Sequence, residues 1–135
     1  MTVLDTSAAI DYLLGDDAAR QVQALLRDGG PAAAPDLLVF EVLAVLRRDV
    51  SRHILAPERA RGAIEDLGDL PIELFGTLPL RQRAWELREN LTAADAIFAA
   101  LAEYLGERLA TKDRGLASAA GVHARIETLE LGKDG

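Results

Sequence analysis

The sequence predicts an α/β protein with a short, mainly parallel sheet covered by helices on both faces. Short apolar runs alternate with segments of helical spacing along the whole chain, the pattern of βαβ crossovers. The strong breakers Gly29-Gly30-Pro31, Pro57, Gly68, Pro71, Pro79 and Gly106 fall between those segments rather than inside them. Half of the 135 residues are hydrophobic and none is Cys, so one domain buries its core without disulfides.

Taken in order, Val3 to Thr6 is an apolar run ending in polar residues, hence a strand, and Ser7 to Leu14 follows with helical spacing through Ala9, Ile10, Leu13 and Leu14. Asp17 to Arg27 continues as an amphipathic helix stopped by Gly29-Gly30. Pro31 to Pro35 is short and Ala-rich, enough for a brief buried strand. Asp36 to Val50 is too long for a strand and apolar all round, which predicts a helix that is buried or at a subunit interface. Pro57 to Leu67 is a helix with an early Pro, Ile72 to Phe75 a strand, and Pro79 to Leu87 and Leu91 to Leu105 two helices. Glu107 to Thr111 reads as a strand, Arg114 to Ala119 as a short helix and Arg125 to Leu129 as a last strand. Residues 1–131 are expected to form one domain and 132–135 a loose tail.

Composition excludes several functions. Without Cys there are no thiolate zinc sites, iron–sulfur clusters or cysteine nucleophiles, and a reducing cytoplasmic location is expected. The N-terminus lacks a basic region and carries Asp5 and Asp11 where a signal peptide is apolar, and no run approaches a membrane span. The net charge of −7 argues against indiscriminate nucleic-acid binding. Two arginine strips, Arg47/Arg48/Arg52 and Arg81/Arg83/Arg88, are each accounted for as solvated helix faces.

In parallel sheets ligands bind outside the carboxyl ends of the strands, which singles out Asp5 after the first strand and Asp113 after the fourth. Either alone also serves as a helix N-cap. Asp95 is the third residue after Thr92, where a capping box is expected, yet it opens a largely apolar helix. Glu41 has no capping role: it interrupts Leu37-Leu38-Val39-Phe40 and Val42-Leu43-Ala44-Val45-Leu46 in mid-helix. A carboxylate there needs a cation, a metal or a solvated cleft, with a salt bridge to Arg47 or Arg88 as the structural alternative. Should the four acids converge, their mutual repulsion calls for a hard divalent cation, and with only His53 and His123, both expected at the surface, oxygen ligands suit Mg²⁺ or Mn²⁺. Thr6 and Thr111 offer hydroxyls beside Asp5 and Asp113 for orienting a carboxylate or water, or for capping.

The segments VLDTSAAID, the isolated Glu in an apolar helix near residue 40, NLTAADAIFAALAE and LATKDRGLA together resemble a PIN-domain ribonuclease, most closely the VapC toxins of type II toxin–antitoxin pairs. The resemblance covers essentially the whole chain. It implies a three-layer α/β/α domain in which Asp5, Glu41, Asp95 and Asp113 bind Mg²⁺ or Mn²⁺ and hydrolyse RNA phosphodiesters, with Thr6 and Thr111 in supporting positions. It further implies a homodimer held inactive by a VapB-type antitoxin, whose tail packs in a groove. Arg108, Lys112 and Arg114 lie close to Asp113 in sequence and are candidates for holding RNA phosphate.

Three other readings compete. A receiver-like phosphoacceptor domain is invited by Thr111-Lys112, but these are adjacent rather than on successive strands, and the central strand offers Glu73 in place of an Asp. A haloacid-dehalogenase-like phosphatase needs an Asp where Ser7 stands. A catalytically degenerate or purely structural partner-binding module treats Glu41 as a buried ion pair and 36–50 as an interface.

Overall fold

A computed structural model describes residues 1–132. Its elements in chain order are β1 (Val3–Leu4), α1 (Thr6–Leu14), α2 (Ala19–Gly29), β2 (Ala32–Pro35), α3 (Leu37–Ser51), α4 (Pro57–Asp69), β3 (Ile72–Phe75), a 3₁₀ turn (Leu78–Leu80), α5 (Arg81–Glu86), α6 (Ala93–Leu105), β4 (Leu109–Thr111), α7 (Arg114–His123) and β5 (Thr128–Glu130). No helix among these is long and apolar enough to cross a membrane.

The five strands form one parallel sheet in the order β3-β2-β1-β4-β5. The chain runs outward from the central β1 through β2 to β3, then returns across the sheet to β4 on the other side of β1. The direction of winding reverses between β1 and β4, and sheets of this kind bind ligands outside the carboxyl ends of the strands at such a point. Register places Val3 opposite both Ala33 and Leu109, and Leu4 opposite Ala110.

Strand alternation sends Val3, Ala33 and Leu109 to one face and Leu4, Ala32 and Ala110 to the other. The first face packs on Leu38, Val42 and Leu46 of α3 and on Ala96, Phe98, Ala99 and Ala102 of α6. The second packs on Val22 of α2 and on Leu131. Two apolar layers about one sheet give the three-layer α/β/α architecture. Small side chains on β2 and α6 allow helix and sheet to approach closely, and Phe98 is the largest of the fully buried side chains among the described residues.

Several boundaries differ from those the sequence suggests. β1 ends at Leu4 because Asp5 already caps α1, drawing Thr6 into the helix. α7 runs on to His123, past the expected Ala119, since Ala120 reaches the core, and β5 starts correspondingly later. Leu78 to Leu80 form a 3₁₀ turn because Pro79 sits inside the expected helix start. Of the two outcomes expected for the 36–50 helix, buried or at a subunit interface, burial within the chain holds for one stripe, Leu38, Val42 and Leu46, while Val39, Phe40 and Leu43 are exposed. Of the tail, Gly132 is held, its N–H donating to Gln21 Oε1 at 2.9 Å, and 133–135 lie outside the described residues.

Candidate active site

Asp5 stands at the carboxyl end of β1 and is the focus of a hydroxyl cluster. Its Oδ1 accepts from the Ala8 N–H at 3.0 Å, capping α1, and from Ser7 Oγ at 2.7 Å. Its Oδ2 accepts from Thr111 Oγ1, at the end of β4, at 2.5 Å. The side chain is buried, and that burial raises its proton affinity against the lowering effect of the Thr111, Ser7 and Ala8 donors. The capping role expected from the sequence is realised, and both carboxylate oxygens accept from hydroxyls as well.

Thr111 ties the two strand ends together. While donating to Asp5 it accepts from the Asp113 N–H at 2.9 Å, which fixes the turn leading into α7. Asp113 caps α7 through Leu116 N–H at 3.0 Å. Its carboxylate lies against Gly115, where an added Cβ would come within 3.2 Å of Asp113 Oδ1.

Glu41 projects from α3 toward the start of α1, where Thr6 Oγ1 donates to its Oε1 at 2.5 Å. The expected alternative of a salt bridge to Arg47 or Arg88 does not form among the described residues. Glu41 is half-buried, on the wall of a cleft of about 490 Å³ shared with Thr6, Ser7, Ile10, Phe40 and Lys112.

Asp95 sits in the first turn of α6, its N–H donating to Thr92 Oγ1 at 3.2 Å. Its proton affinity is raised by burial first, with Thr92 opposing, and then by the charges of Asp113, Asp5 and Glu41. The charges of Asp113, Asp5 and Glu41 therefore reach Asp95. Nothing local in α6 produces that effect; it comes from the crossing of β1, β4 and α3 beside the α6 N-terminus.

The expected phosphate-binding cations divide. Lys112 Nζ lies 2.7 Å from Asp11 Oδ2, so its charge is already paired. Arg114 is exposed and reaches Glu130 at 3.4 Å. Arg108 is corrected: it precedes β4, its carbonyl accepting from Val3 N–H, so the strand carries it to the amino end of the sheet, away from the acids. There it lines a hollow with Glu107, Arg125 and Glu127. Proximity in sequence misplaces it because an extended residue advances the chain by about 3.3 Å.

Two contributors escape the sequence reading. Ser7 appears there only as the wrong residue for a phosphatase, yet its Oγ donates to Asp5 and accepts from Lys112 N–H at 3.0 Å. Asp11 is almost fully buried, accepting from Ala18 N–H at 3.0 Å as well as from Lys112. Its spacing of four from Ser7, on the same face of α1, is the signal that could have drawn attention to it.

Among the described residues no three His, Cys, Asp or Glu side chains are close enough to form a ready cage for a metal ion. The donors are nonetheless all oxygen, and two of the carboxyls have raised proton affinity. A hard cation held through one or two carboxylates and several waters requires no cage, and this set fits it.

The fold is a three-layer α/β/α domain with Asp5 and Asp113 just after the two strands that flank its topological switch point. The PIN domain family matches residues 2–122. Ribonuclease VapC12 of Mycobacterium tuberculosis is 36% identical over 127 residues, covering 94% of this chain and 98% of the relative. VapC ribonuclease Mb0985 of Mycobacterium bovis is 38% identical over 113 residues, covering 84% of this chain and 86% of that one. Among solved structures, PAE2754 from Pyrobaculum aerophilum superposes with a TM-score of 0.71 at 19% identity, over 94% of this chain and 81% of the other. VapBC2 from Rickettsia felis, bound to a DNA fragment from their promoter, gives 0.70 at 13% identity over 96% and 98%. The chain belongs to the PIN-domain family, among its VapC-type members.

Proposed function

We propose that this protein is the toxin of a type II toxin–antitoxin pair, a ribonuclease that hydrolyses phosphodiester bonds in a restricted set of structured RNAs such as tRNA or rRNA. The observation that carries the reading is the match to VapC ribonucleases over most of the chain, and the charges of Asp113, Asp5 and Glu41 reaching Asp95 support it. A receiver-like or phosphatase role is not favoured by a chain whose relatives are VapC ribonucleases.

In this reading Asp5, Glu41, Asp95 and Asp113 hold Mg²⁺, with Mn²⁺ as a substitute. When bound, such an ion supplies a water nucleophile near neutral pH and charge stabilisation at phosphorus. The chain's own task is to fix the carboxylates. Thr111 and Ser7 orient both oxygens of Asp5, and Thr6 holds Glu41 by one oxygen, leaving its other oxygen for the site. The Asp11–Lys112 pair anchors α1 to the turn after β4, so that Ser7 and Asp113 keep their spacing. Arg114, highly exposed next to Asp113 in sequence and held only by a 3.4 Å contact with Glu130, is the proposed cation for phosphate.

The proposed partner is a VapB-type antitoxin. Its tail has a place in the cleft beside Glu41, where Phe40 is 68% exposed and Ile10, Leu14 and Val45 add apolar wall. A cytoplasmic homodimer is the proposed working form, with the exposed Val39 and Leu43 of α3 available for contacts between subunits.

Cleavage of total RNA by purified protein in Mg²⁺ or Mn²⁺, beside EDTA and an identically prepared Asp5→Asn control, tests the proposal. Discrete metal-dependent fragments from the wild type alone are expected. Equal cleavage by wild type and control assigns the activity to a contaminant and removes the nuclease reading.

A further inference from the structure

We propose that the groove around Trp85 is a subsite for an unpaired nucleotide of the RNA substrate, its base stacking on the indole and its phosphates meeting Arg81 and Arg88. This rests on the ribonuclease reading above and names where, beyond the acids, the substrate is held. Trp85 projects from α5 and is 67% exposed, an unusual place for the one tryptophan of the chain. The Arg88 guanidinium lies over the ring, 4.5 Å from its centroid, and is held there by donating to the Trp85 carbonyl at 3.0 Å. Arg81 is fixed similarly on the Leu78 carbonyl at 2.9 Å. Neither guanidinium meets a carboxylate among the described residues, and Arg88 covers one face of the indole while the other is open to a base.

The surrounding groove, about 520 Å³, contains these two arginines and no carboxylate. In a chain with 22 acids and 15 bases, a concavity whose charged lining is wholly cationic selects an anion. The third member of the arginine strip confirms the division of labour: Arg83 is used internally, on Glu103 and Glu86, and does not line the groove. Phosphate binding by itself has no use for an exposed indole. Aromatic faces alternating with arginines are how proteins hold single-stranded nucleic acid, since each base offers a π face and the backbone a charge. A duplex hides those faces, so the occupant is unpaired.

The groove includes Thr92 and Ala93, the N-cap and first residue of α6, and Asp95 stands in that same first turn. Ala93 and Ile97, which line the groove, lie one turn apart on one side of α6, and Asp95 between them is on the other, so the subsite holds unpaired sequence away from the scissile bond.

Because Trp85 is the only tryptophan, its emission reports this groove without labelling. Wild-type protein in EDTA is titrated with short oligoadenylate, with inorganic polyphosphate and with duplex RNA. Saturable quenching by oligoadenylate but not by polyphosphate is expected, with Arg88→Ala weakening binding roughly ten-fold. In the metal-dependent cleavage assay Trp85→Ala raises KM by a similar factor, and Trp85→Phe restores part of it. Absence of quenching while the wild type still cleaves RNA overturns the subsite and leaves the nuclease intact. Absence of cleavage indistinguishable from Asp5→Asn overturns the nuclease, and the EDTA titration then decides the groove by itself. Emission that responds to protein dilution and not to RNA assigns this face to a second copy of the chain and overturns the proposal.

Discussion

Thr111 shows how much of this site depends on single hydroxyls. It is completely buried, donates to Asp5 and accepts from the Asp113 amide, so Thr111→Val removes the donor from a buried carboxylate and the acceptor from a turn amide. A loss of about 1–3 kcal/mol in chemical denaturation is expected, together with loss of cleavage. Asp5→Asn should act in the opposite sense on metal-free stability. Burial raises the Asp5 carboxyl above its unfolded value, so the folded protein binds that proton more tightly. Stability therefore falls as pH rises from the unfolded value through the folded one, and the cost persists at neutral pH. Asn keeps the helix cap and has no charge to desolvate, so thermal melting in EDTA should show Asp5→Asn melting above wild type at pH 7, with the gap closing on acidification. A variant that melts lower at neutral pH refutes this account of Asp5. Serine was legible at this scale only as a mismatch: Ser7 has partners 104 and 105 residues away, and no local pattern announces them.

At the scale of elements, α7 and α6 carry distinct tests. Gly115 is in the first turn of α7 with no special backbone conformation, and alanine is the better helix former there by about 1 kcal/mol. Its methyl would meet Asp113 Oδ1 at 3.2 Å and displace the carboxylate by a few tenths of an ångström. Gly115→Ala gains helix propensity but disturbs the Asp113 Oδ1 cap on Leu116 N–H, so stability is expected to stay within about 1 kcal/mol of wild type while cleavage is lost, and unchanged activity would show that the position of Asp113 is not critical. On α6, Glu103 accepts from Arg83 Nε at 2.8 Å and from the Arg125 N–H at 2.9 Å, joining α5 to the segment before β5. Partial burial alone would raise its carboxyl, but Arg83 and Arg125 together bring it below the ordinary glutamate value. A lowered folded value means stability present above the unfolded pKa and lost as pH falls through the folded one. Denaturation midpoints should show Glu103→Gln costing roughly 1 kcal/mol at neutral pH and nothing in acid below both values.

For the whole molecule, repulsion among the acids is the property that a divalent ion relieves. Added Mg²⁺ or Mn²⁺ should raise the melting temperature of the wild type in a concentration-dependent way and have much less effect on Asp5→Asn or Asp95→Asn. Equal shifts in all three would place the ion elsewhere. The exposed apolar residues of α3 and of the Glu41 cleft make a parallel point about assembly: co-expression with a cognate antitoxin is expected to bury Phe40, and Phe40→Asp to weaken that complex by about ten-fold or more.

The sequence by itself determined the order and kind of the elements, because strand and helix periodicities are local and the breakers fall between them. It also pointed to the four acids, through Glu41 above all, since a carboxylate inside an apolar helix has no local explanation. Tertiary structure alone decided which groups meet those acids. The reversal of winding at β1 and β4 brings Thr111 and Ser7 onto Asp5, Lys112 onto buried Asp11, and carries Arg108 to the far end of its strand. The same holds for α3, whose sequence reads as apolar all round while the fold covers one stripe of it. Periodicity depends on neighbours a few residues apart, whereas these contacts join residues up to 106 positions apart and exist only once the sheet has closed.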